Sequence, residues 1–110
     1  MSAGGEQTTK QFDVRPRADV IARIAQVRLS RVEFIAQSVA EPDSAARSLR
    51  QAQQNDDLSG LLIVKLLQEF PAVGKVAARR LLSRLGLDEF VAIRDLTDDH
   101  IAAIAAECSP

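Results

Sequence analysis

The sequence predicts an all-α fold, with a long N-terminal helix followed by a compact helical domain. Three observations carry that expectation. Apolar residues recur every three or four positions, the period of a helix face, and no alternating run reads as a strand. Pro16, Pro42, Pro71, Gly74 and Gly86 fall where those runs begin or end, as residues that start, turn or stop a helix should. Aromatic residues are scarce, four Phe with no Trp or Tyr, so Ala, Leu, Ile and Val must fill the core, which favours closely packed helices.

A chain of 110 residues, 46% hydrophobic and 26% charged, has room for one small soluble domain with a modest core. Residues 1–15 are mostly small and polar and are expected to form a flexible arm. The long helix is expected over 16–41, opening near Pro16, with Ile21, Ala25, Val32, Ala36 and Val39 on its inner face. Arg17, Arg28 and Arg31 share one sector of that helix with Ile24 and Ile35. The sector reads as structural first, and as an auxiliary phosphate contact second.

The domain proper is expected over 42–110. Pro42-Asp43-Ser44 restarts the helix, and Ala46, Leu49 and Ala52 should point inward over 45–54. Asn55-Asp56-Asp57 breaks it. The run from Leu58 to Phe70 is apolar nearly all round, which predicts a central buried helix. Gly86 should close the following helix in the left-handed conformation, and residues 88–94 should form a short helical piece with Phe90, Val91 and Ile93 inward. Thr97 should cap a last helix, with Asp98 and Asp99 at its positive end and Ile101, Ile104 and Ala105 on its inner face.

The functional signal lies at the hairpin, 70–75. Pro71 lacks an N–H and disfavours helical geometry at Phe70, so one helix stops there. Gly74 turns the backbone and permits close approach to another surface. The next helix then presents its first N–H groups, backed by the helix dipole, in an arrangement suited to a phosphate oxygen. Lys75, Arg79, Arg80 and Arg84 lie on one side of it, and Ala77, Ala78, Leu81, Leu82 and Leu85 on the other. No acidic residue occurs from Pro71 to Leu87. The net charge of −1 therefore hides an uneven distribution, because six acids face only Arg94 between Asp88 and Pro110. A local cationic patch matters more to phosphate binding than the total.

Other chemistry is poorly supplied. The single cysteine, Cys108, cannot form an intrachain disulfide and reads as a small core residue. The single histidine, His100, reads as a helix-start residue, since a zinc site needs several Cys or His. No Walker loop or glycine-rich nucleotide fingerprint is present. No catalytic constellation, cofactor site or membrane span is expected.

Pro71-Ala72-Val73-Gly74-Lys75-Val76-Ala77-Ala78 is similar to the Pro-Gly-Val/Ile-Gly-x-x-x-Ala hairpin of helix-hairpin-helix and helix-two-turn-helix DNA-binding domains. The likeness continues through Leu81-Leu82-Ser83-Arg84-Leu85-Gly86-Leu87, Val91 to Leu96, Ser48 to Ala52 and Leu61 to Phe70. Over roughly 45–107 the chain resembles the actinobacterial integration host factor family of small nucleoid-associated proteins. The resemblance implies a helix-two-turn-helix domain and a non-enzymatic role on double-stranded DNA in the cytoplasmic nucleoid. It implies contact with backbone phosphates and the adjacent minor groove, weak sequence preference, and bending or compaction of the DNA. Val73, Gly74 and Lys75 would hold phosphate, Arg79, Arg80 and Arg84 would add cationic contacts, and Arg94 would reinforce them. Partners would be duplex DNA and other nucleoid or recombination proteins, with the chain a monomer.

The family pattern is not met everywhere. Ala72 replaces the first hairpin glycine or lysine, Ala77 falls at a common basic position, and the Arg-rich run after Gly86 is reduced to Arg94. The alternative reading is a helical protein–protein or accessory module, chromosomal or phage-encoded, that has lost nucleic-acid binding. RNA is a third target that the same hairpin could take.

Overall fold

A computed structural model describes residues 14–110, with side chains from Arg17 onward. The expected arm, 1–15, therefore lies almost wholly outside the described residues. Six α-helices follow one another: α1 Val14–Ala40, α2 Ala45–Gln53, α3 Asp56–Ser59, α4 Ile63–Leu67, α5 Gly74–Arg84 and α6 Asp98–Cys108. Short 3₁₀ turns at Pro42–Ser44 and Ile93–Asp95 join them. Among the described residues no helix is long and apolar enough to cross a membrane.

The core lies among α2, α4, α5 and α6. Leu49, Ile63, Leu67, Phe70, Leu82, Ile93, Ile101 and Ile104 are almost completely buried there. In α2 the inward residues are Ala45, Leu49 and Ala52, with Ala46 half-buried. Gln53 fastens α2 to the chain end, its side-chain amide donating to the carbonyls of Ile93 at 3.1 Å and Leu96 at 2.8 Å. Helix α6 begins with a reciprocal cap: the Thr97 hydroxyl accepts from His100 N–H, and His100 Nδ1 accepts from Thr97 N–H. His100 is thus occupied as a capping residue. Gly86, at φ +75°, closes α5 while Leu87 N–H donates to the Leu82 carbonyl and Gly86 N–H to that of Ser83. The left-handed cap stands as the sequence predicts.

Three expectations are corrected. The apolar run Leu58–Phe70 does not form one helix. It is split between α3 and α4, and the residues between them pair with 91–93: Ile63 N–H donates to Val91, and Ile93 N–H to Leu61, each at 3.0 Å. This one antiparallel bridge, Leu62 with Ala92, consumes backbone groups a continuous helix would have needed. Asn55 starts α3 by accepting from the N–H groups of Asp57 and Leu58.

The piece expected over 88–94 is also largely non-helical, with only Ile93–Asp95 forming a turn. The Asp88 carboxylate accepts from Phe90 N–H at 2.8 Å, a local turn that competes with helix. Ile93 is buried and Val91 half-buried, but Phe90 is 72% exposed.

The inner face of α1 is the third correction. Ile21, Ala25, Val32 and Ala36 are exposed, and of the expected set only Val39 is half-buried. The face turned to the domain carries Val27, Arg31, Phe34, Ile35, Ser38 and Val39 instead. Ser38, buried, satisfies its hydroxyl by donating to the Phe34 carbonyl at 2.8 Å.

Candidate nucleic-acid interface

The hairpin is built from the buried end of α4. Phe70, 1% exposed, anchors the turn, and its carbonyl accepts from the N–H groups of both Val73 and Gly74. Gly74 then enters α5 at φ +81°, a conformation that a side chain would strain. A Cβ at Gly74 would meet no protein atom within 4 Å, so the space it would fill opens outward. Val73 packs partly against the core and offers no side-chain cap to α5. The N–H groups of Lys75 and Val76 are bonded to no carbonyl preceding the helix. Both residues are exposed. The start of α5 thus keeps outward-facing donors at the positive end of an eleven-residue helix.

Helix α5 sorts its side chains as its period predicts. Ala78, Leu81 and Leu82 are buried, while Lys75, Arg79, Arg80 and Arg84 are exposed. Two of the four cations have acidic neighbours, Arg79 with Glu89 and Arg84 with Glu107, each at 3.8 Å and about half-exposed on both sides. Such surface pairs contribute at most about 1 kcal/mol. A phosphate can take their place. Lys75 and Arg80 have no carboxylate partner among the described residues.

Arg94 belongs to a different neighbourhood. The bridge between 62 and 92 carries it to the N-terminal side of α4, whereas the hairpin follows the C-terminal end. A Cβ on Gly60 would lie 3.0 Å from an Arg31 guanidinium nitrogen and 3.1 Å from one of Arg94, so the two cations are neighbours over that glycine. Arg31 is held there by donating from Nε to the Asp57 carbonyl at 2.9 Å, while Arg23 pairs with the Asp57 carboxylate. Neither Arg31 nor Arg94 has a carboxylate partner among the described residues. Adjacent like charges without a counter-charge favour an anion between them. Residues 31, 60 and 94 are far apart in sequence, and no local signal links them.

Other chemistry is absent from the described residues. No cluster of three His, Cys, Asp or Glu side chains suits a metal ion. Burial, followed by the charge of Glu107, pushes the Cys108 thiol up to about 11, which keeps it protonated and unreactive at neutral pH.

Comparison with known proteins agrees with this layout. No family model matches the chain. The integration host factor of Streptomyces coelicolor is 31% identical over 91 residues, 83% of this chain and 85% of the relative. The chain belongs to the actinobacterial integration host factor family. A solved structure, described as sIHF bound to an 8-base-pair palindromic DNA, matches with a TM-score of 0.71 at 30% identity, covering 80% of this chain and 99% of that one. The all-α architecture is thus that of an integration host factor. The departures at Ala72 and Ala77, and the lone Arg94 after Gly86, mark a divergent member.

Proposed function

We propose that this integration host factor relative is a non-enzymatic, nucleoid-associated protein that binds double-stranded DNA through the 70–75 hairpin and α5. The observation that carries the reading is the start of α5, where an outward-opening Gly74 and two N–H groups without acceptors stand among exposed cations. A phosphate seated against Val73, Gly74 and Lys75 would accept those N–H groups, with Lys75, Arg79, Arg80 and Arg84 placed for phosphates on either side. All of these groups come from one chain, so the DNA-contacting unit is a single copy. Arg94, with Arg31 beside it, supplies a second anion contact. The DNA-bound structure of a relative at 30% identity supports the choice of duplex over RNA. Phosphate contacts position a protein without reading bases, so sequence preference is weak and the adjacent minor groove is met mainly through its shape and bendability. Other nucleoid or recombination proteins share that DNA in the cytoplasm.

Fluorescence anisotropy with duplex DNA, single strands and structured RNA at several salt concentrations tests this. With roughly three to five phosphates neutralised, log affinity against log salt should slope by about −3 to −5 for duplex. A slope near zero, or no duplex binding at low salt, would replace the DNA reading by that of a helical interaction module. Tighter binding to RNA would move the same hairpin to that target.

A further inference from the structure

We propose that α1 is a self-association element, through which two copies of this chain pair side by side in parallel. Ala18, Ile21, Ala25, Leu29, Val32 and Ala36 are separated by three, four, four, three and four residues. This is the spacing of one helix face, close to the eleven-residue repeat of a nearly straight helix pair. Every one of them is exposed, with Ile21 and Leu29 at 58% and Val32 at 63%. The sequence carries the pattern of a buried face there, yet the domain packs against the opposite side of the helix, through Val27, Phe34, Ile35 and Ser38. Residues 17–26 are exposed without exception. Their helix is fixed to the domain only by the Arg23–Asp57 pair among the described residues. Helices in water draw most of their stability from a packed face, and a contiguous uncovered apolar stripe marks an interaction surface. This one is about 27 Å long from Ala18 to Ala36.

The flanking charges identify the occupant as a second copy and set its direction. At 100° per residue Arg28 lies about 70° to one side of the stripe and Glu33 about 70° to the other. Both are exposed, and neither has an ion-pair partner among the described residues. In a parallel, in-register pair the flank of one helix meets the opposite flank of its copy, with residue i facing i+5. Arg28 of each copy then faces Glu33 of the other, twice by symmetry. An antiparallel pair would instead set the Arg17–Arg28 flank against itself. Because each domain sits on the far side of its own α1, the two domains stay on the outside of such a pair. The expectation of a monomer rests on sequence alone, where the same stripe is assigned to the core.

Sedimentation equilibrium of the full chain without DNA tests the pairing independently of DNA binding. The 12.0 kDa chain should show reversible monomer–dimer behaviour as its concentration rises. Leu29→Glu and Val32→Glu should remain monomeric with the parent's melting temperature. Arg28→Glu or Glu33→Arg should each weaken the dimer by about tenfold, and the double exchange should restore it. Ala18→Cys and Ala36→Cys, each alone, should form a disulfide-linked dimer under mild oxidation, since Cys108 is buried and does not compete. A monomer mass up to about 1 mM would overturn the proposal. So would cross-linking only between Ala18→Cys and Ala36→Cys chains in a mixture, which would mean antiparallel pairing.

Discussion

Helix α5 and the second half of α1 both carry arginines at helical spacing, but the fold uses them differently. In α5 the guanidinium groups stand exposed, and where they have partners these are half-exposed carboxylates at 3.8 Å. In α1, Arg23 and Arg31 both reach Asp57, one to its carboxylate and the other to its backbone carbonyl, and Arg31 is half-buried over Gly60. The first set is exchangeable and suits a polyanion. The second fastens a helix to its domain, leaving only the Arg31–Arg94 neighbourhood for an anion. An arginine's spacing in sequence therefore says which face it shares. What it touches decides its role.

That contrast can be broken or sharpened by substitution. The largest effect on the fold should come from Leu66→Ala, in the buried face of α4 from which the hairpin grows. It should cost about 2–5 kcal/mol in chemical denaturation, enough to unfold a marginal domain and remove binding with it. Gly74→Val should leave the helices intact by circular dichroism yet weaken duplex binding by about tenfold or more, because it strains the positive φ and fills the space in front of the free N–H groups. A folded Gly74→Val protein that binds as well as the parent would move the interface away from the hairpin. Ala72→Gly should tighten binding by restoring the family's turn.

The next effect separates the two arginine sets directly. Arg31→Ala should lower stability by about 1–3 kcal/mol, since it removes a charged hydrogen bond and the contact over Gly60. Arg80→Ala should change stability by less than about 0.5 kcal/mol while weakening duplex binding. Equal melting temperatures for the two variants would erase the distinction. The smallest effect is expected from Glu89→Gln and Glu107→Gln, which release Arg79 and Arg84. Each should tighten duplex binding by a few-fold at low salt, with the gain vanishing as salt rises.

Much of this was legible before the fold was known, because it depends on short stretches of chain. The hairpin at 70–75, the left-handed Gly86, the Thr97 cap and the division of α5 into an apolar and a cationic side all follow from residues within one or two turns of each other. The resemblance that led to the family rested on the same stretches. What went unread required distant residues to meet. The split of Leu58–Phe70 depends on pairing with 91–93, Phe90 is freed by a local aspartate turn that outcompetes helix, and Arg31 finds Arg94 only over Gly60. Periodicity showed that α1 has an apolar stripe from Ala18 to Ala36, but a period cannot say which of two apolar faces the domain will take. Tertiary packing chose the face with Val27, Phe34 and Ile35, because Phe34 and Ile35 supply bulk for the core and Arg31 reaches Asp57 from that side. Local backbone preference determined the helices and the hairpin, and long-range contact alone decided which faces were left free to act.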